Sequence, residues 1–187
     1  IQRQVLLARA DQFLFLADAV LGPQKMKIQY QSTLPRAGQI EFWTDEETCD
    51  GVLSDGRPRS VVLPLALPEW RKALTTESFG ADGTQLQLSL DDHAQRLYAP
   101  LFFDLSTHRL TEPRTWRQLT VAERLVPQSR DVAAAYRVQL GRAQWLIYRS
   151  LGPRANRTVL GQNLAQEFVV ARFKPDGCID ELIEIEG

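Results

Sequence analysis

The chain has 187 residues and 21.2 kDa, the size of one ordinary domain. It is 44% hydrophobic and 24% charged, which excludes a disordered or low-complexity chain. A net charge of -1 gives no bulk attraction to nucleic acid or anionic lipid, and no apolar run reaches the roughly 18–20 residues of a membrane helix. The chain opens on Ile1 rather than Met, with no signal peptide, so a fragment of a longer or processed protein is expected. Its compartment is not readable from a targeting signal.

Taken in chain order, the period is two. Residues 5–21 divide into two strands broken near Ala10, Asp11 and Gln12, with Gly22-Pro23 closing the second. In residues 25–31, Met26, Ile28 and Tyr30 alternate with polar neighbours, the pattern of a strand with one wet face. Ile40, Phe42 and Thr44 alternate less cleanly. Ser54-Asp55-Gly56 marks a turn before the apolar run 61–67. An exposed connection, with room for a turn of helix, is expected around residues 70–79. Asp82-Gly83 precedes the alternating strand 85–90, and Leu97 to Leu105 forms another apolar run. Residues 136–140 and 145–148 meet through Gly141 and Arg142, and a second exposed connection covers residues 152–156. Residues 168–173 and 179–185 are joined by Lys174-Pro175-Asp176-Gly177, read as a turn with a left-handed glycine. Runs apolar on both faces, 13–17, 61–67, 97–105, 145–148 and 168–171, suit strands inside a packed layer. About twelve short strands and no alternating helices predict an all-β, large antiparallel sandwich forming a single domain.

Charge is uneven. Residues 1–93 carry net -4, residues 94–174 net +8 and residues 175–187 net -5. The acidic end is expected to pair with the basic middle inside one sheet. Arg outnumbers Lys 18 to 4, which fits a GC-rich genome and also fits forked recognition of carboxylate, sulfate or phosphate. Cys49 and Cys178 have no C-x-x-C partner and are expected to be unbridged; His93 and His108 sit in no metal-ligand spacing. No nucleophile elbow, phosphate loop or dinucleotide fingerprint occurs, so neither metal nor cofactor is expected. The pairs Glu46-Glu47 and Asp91-Asp92 read as solvated residues beside turns. Trp116-Arg117, Tyr136-Arg137 and Tyr148-Arg149 each fit an aromatic facing inward and an arginine facing out. The polar stretch 152–163 interrupts the apolar strands. Arg149, Asn156 and Arg157 at or beside it are the candidate ligand-binding residues, placed where side chains are not forced into the core.

The run Gln4-Val5-Leu6-Leu7-Ala8-Arg9-Ala10-Asp11-Gln12-Phe13-Leu14-Phe15-Leu16-Ala17-Asp18-Ala19-Val20 is a strand, a tight turn and a strand with an Asp near its close. It resembles the C-terminal β-sandwich of heparinase II/III-like polysaccharide lyases. The resemblance implies a helical toroid preceding the sandwich in the same protein, cleavage of acidic polysaccharide by β-elimination in that parent, and a periplasmic or extracellular setting. It implies no catalytic residue here, because no Tyr/His pair of this chain matches a family motif. The chain is then a non-catalytic accessory domain that contacts acidic glycan. The alternatives are a stand-alone binding or interaction module and a small complete hydrolase using acidic residues. An apolar face left exposed favours the accessory domain.

Overall fold

Residues 1–71, 76–174 and 176–186 are described by a computed structural model. Seven strands build the first sheet: β1 (Gln2–Ala8), β2 (Phe13–Pro35), β3 (Glu41–Thr44), β4 (Gly51–Ser54), β5 (Pro58–Pro64), β6 (Ser78–Asp82) and β7 (Gln85–Asp104). They lie antiparallel in the order β1-β2-β7-β5-β4-β3, with β6 also paired to β7. Then follow β8 (Arg114–Leu119), β9 (Ala122–Glu123), β10 (Val126–Pro127), β11 (Ala133–Leu140), β12 (Ala143–Ser150), β13 (Arg157–Val159), β14 (Gln162–Leu164), β15 (Phe168–Phe173) and β16 (Ile179–Ile185). Five of these form the order β16-β15-β12-β11-β8, and four short ones form β10-β9-β13-β14. The described residues thus hold sixteen strands rather than about twelve, and no helix, so none is long and apolar enough to cross a membrane. The additional strands are mostly two or three residues long, too short to show a period.

The all-β antiparallel expectation holds in detail. The inner face of the seven-stranded sheet meets the five-stranded sheet through aromatic contacts. Phe13 lies on Phe102 and against Trp145, and Phe15 stacks on Phe168 at 5.9 Å. The other face of the five-stranded sheet, carrying Leu146, Tyr148, Val169 and Ala171, is covered by Val121, Val159 and Leu164 around the small sheet. Both faces of β12 and β15 are therefore buried, which is why both read as continuously apolar. The acidic C-terminal strand pairs with basic β15 as expected, with Asp180 3.4 Å from Arg172 and 3.6 Å from Lys174. The turns at residues 141 and 177 use left-handed glycines, φ +58° and +84°, where a side chain would be strained. Pro175 and residues 72–75, part of the expected 70–79 connection, lie outside the described residues.

Two expectations change. Gly22-Pro23 does not end a strand: β2 continues to Pro35, and residues 22–25 bulge opposite Gln95 alone. The bulge needs glycine, because a Cβ on Gly22 would sit 2.7 Å from the Gln95 carbonyl oxygen. Gln95 Nε2 donates to the Pro23 carbonyl at 3.0 Å, and the proline's missing donor costs nothing in an unpaired bulge. Residues 85–90 and 97–105 are likewise not separate strands, since β7 spans 20 residues through Asp91 and Asp92, which lie in mid-strand.

Beyond the bulge, residues of the second half of the β2–β7 ribbon return to the outer face of the first. Leu16, Asp18, Ala99 and Leu101 line one small void with Tyr30, Ser32 and Leu88. At this crossing Arg3 donates to Asp18 through Nε (2.8 Å) and Nη2 (2.7 Å), and the Tyr30 hydroxyl donates at 2.7 Å. The guanidinium holds the Asp18 carboxyl below the usual carboxylate range; burial opposes this and the Tyr30 bond assists. A carboxylate depressed in the folded state adds stability above its unfolded pKa of about 3.9 and loses it as pH falls through the folded value. Urea midpoints measured from pH 6 down to pH 2 are expected to fall below about pH 4, and to fall less steeply in Asp18→Asn. Parallel pH profiles for the two proteins refute the assignment.

Candidate functional site

The candidate residues separate once folded. Asn156 is exposed on the connection after β12, as expected. Arg149 and Arg157 are buried, contrary to the expectation that they avoid the core. Strand alternation turns Arg149 inward, where Nη1 lies 2.5 Å from Glu167 and Nη2 donates to Gln2 Oε1 at 2.7 Å. Arg157 begins β13 and points onto the outer face of β12. Its Nη1 donates to Ser150 Oγ at 2.8 Å, its Nη2 to the Pro153 carbonyl at 2.9 Å, and its Nε lies 3.3 Å from Glu123. Arg157 therefore fastens the small sheet to the five-stranded one. The second part of the polar stretch 152–163 is a hairpin, β13–β14, rather than a loop. Trp116-Arg117 and Tyr136-Arg137 keep the aromatic-in pattern, whereas both members of Tyr148-Arg149 are buried because β12 is covered on both faces.

Other buried charge is equally committed. Asp11, in the β1–β2 turn, accepts from Trp145 Nε1 at 3.1 Å and from Arg172 Nε and Nη2 at 2.9 and 2.7 Å. Burial pushes its carboxyl up, but the Arg172 and Trp145 hydrogen bonds outweigh this and hold it low. Arg109 pairs with fully buried Asp104 at 2.5 Å, donates to the Asp11 carbonyl and lies over the Trp145 ring at 5.2 Å. Cys49 is buried and Cys178 exposed, and neither is bridged. His93 and His108 are exposed. Among the described residues no group of His, Cys, Asp and Glu is placed to hold a metal.

Two hollows remain. The smaller, about 260 Å³, is lined by Gln2, Arg149, Ser150, Arg154, Gln166 and Glu167 and lies beside the predicted 152–156 connection. The larger, about 620 Å³, opens where the segment leaving β5 passes β8 and the start of β6. Its floor is apolar, with Leu65, Leu67, Phe79 and Trp116, and its margin carries Trp70, Arg71, Arg117 and Arg130. Cys49 also lines it, and burial pushes its thiol up, away from the reactive thiolate. The sequence marks residues 70–79 as an exposed connection and Trp116-Arg117 as neighbours, but no local pattern brings Trp70 and Trp116 together with Cys49 and Arg130.

Fold and hollows together define an antiparallel β-sandwich with open pockets at its margins. Family models, curated proteins and solved structures were all searched, and none matches this chain.

Proposed function

We propose that the chain is a non-catalytic accessory β-sandwich domain of a larger carbohydrate-active, polysaccharide lyase-like protein, docked on another domain of the same polypeptide and contacting acidic glycan. The observation that carries the docking is the outer row of β1. Among the described residues β1 pairs only with β2, leaving one edge unpaired. On its outer face Val5 is 67% and Leu7 51% exposed, with half-buried Leu14 and Leu16 beside them on β2. An unpaired edge strand with an apolar row is costly to leave in water and is normally blunted or covered. The buried charges support the non-catalytic part: Asp11, Asp18, Asp104, Arg149 and Arg157 are each engaged in bonds that tie elements of the sandwich together. Glycan contact is supported by the smaller hollow, where Arg154 and Gln166 stand beside the Arg149–Glu167 pair.

Hydrogen exchange tests the docking. The amides on the unpaired edge of β1 are expected to exchange rapidly in the 187-residue chain and to be protected in the full-length protein. Equal exchange in both refutes docking and favours the stand-alone module. Glycan contact is expected as weak, salt-sensitive binding of polyuronate in preference to neutral oligosaccharide, reduced in Arg154→Ala. Binding indifferent to ligand charge removes it.

A further inference from the structure

We infer that the 620 Å³ hollow beneath Trp70 is a binding site for a small ring bearing one carboxylate. Its volume falls within the roughly 300–1,000 Å³ in which proteins hold small molecules. The wall is braced before any ligand arrives. Cys49 N donates to the Glu69 carbonyl and Arg71 N to the Glu47 carbonyl, both at 2.8 Å, so the segment carrying Trp70 is pinned along one side. Trp116 Nε1 holds the Leu67 carbonyl at 2.9 Å, and Thr115 and Arg117 both donate to the Glu69 carboxylate. A braced hollow loses little conformational freedom on binding.

The lining selects the ligand. The floor offers hydrocarbon and indole surface, which favours a flat or apolar ring body. Trp70 stands at the margin with 54% of its surface exposed, an aromatic face on which a ring can stack. Of the three marginal guanidiniums, Arg117 is paired with Glu69, and Arg130 lies 3.0 Å from Asp92. Arg71 donates through Nε to the Asp45 carbonyl at 3.0 Å and has no carboxylate partner among the described residues. One guanidinium not paired with a carboxylate among the described residues matches one carboxylate.

This inference is independent of the docking proposal, since it needs only the 187-residue chain. The probes are benzoate and D-glucuronate, which separate an aromatic from a sugar ring, and their uncharged counterparts benzyl alcohol and D-glucose. Tryptophan fluorescence reports binding, because Trp70 and Trp116 both line the hollow. Modification of Cys49 by a thiol reagent gives a second readout, with exposed Cys178 as internal control. At least one carboxylate is expected to bind about tenfold tighter than its uncharged counterpart and to slow Cys49 modification. Arg71→Gln is expected to abolish that preference, and Trp70→Ala to weaken both members of the pair. Both positions are exposed, so the thermal midpoint should hold. Equal binding of acid and alcohol, no saturation by either acid at about 10 mM, or an acid preference that survives Arg71→Gln overturns the inference.

Discussion

Arg157→Ala is expected to lower the free energy of unfolding by about 3 kcal/mol, a large share of the roughly 5–15 kcal/mol that holds a native domain together. Arg157 is 2% exposed and is among the largest fully buried side chains. Its removal strips donors from Ser150 Oγ and the Pro153 carbonyl and opens a void between β13 and β12. Glu123 is about a third exposed and can turn to water, which keeps the loss toward the lower end for a broken buried pair. Arg157→Met refills the volume but leaves those acceptors unserved, so its loss should fall between alanine and wild type. Urea denaturation measures both, and hydrogen exchange should show β13 and β14 opening before the larger sheets. A loss under about 1 kcal/mol for Arg157→Ala, with the hairpin's exchange unchanged, removes the fastening role.

Trp145→Ala is expected to cost about 4 kcal/mol, or a thermal shift of roughly 8–16 °C for a chain of this size. Trp145 stands between the two large sheets, 5.6 Å from Phe13 and 5.4 Å from Phe102, with Arg109 over its ring. Its indole N–H also serves Asp11, so alanine removes packing and a hydrogen bond together. Trp145→Phe keeps most of the ring and loses the donor. Its cost should be about 1–2 kcal/mol, the price of one unserved polar contact plus a small void. Calorimetry on the two variants separates the contributions. Similar midpoints for alanine and phenylalanine place the weight on the hydrogen bond and refute the packing role.

The β period was readable because each strand buries a face set by neighbours two residues apart, a local property. Residues 25–31, 85–90 and 136–140 are strand in the structure, and the turns expected at residues 56, 83, 141 and 177 all hold left-handed glycines, the conformation expected at residue 177. The continuously apolar segment 145–148 correctly signalled a strand inside a packed layer. The Gly22-Pro23 bulge escaped the reading because Gly-Pro looks the same in a bulge as in a strand end; only the pairing partner Gln95 distinguishes them.

The candidate site depended still more on tertiary structure. Alternation assigns Arg149 and Tyr148 to opposite faces of β12, but nothing local says that a third layer covers the outer face. That layer is what makes Arg157 a buried fastener instead of a surface ligand group. The larger hollow draws its lining from residues 49, 65–71, 77–79, 116–118 and 130, distant in the chain and joined only by sheet pairing. Strand, turn and face were therefore determined by the sequence itself, through side-chain alternation and backbone preference. Which faces were covered, and where space remained between layers, was decided by packing among residues that no local pattern connects.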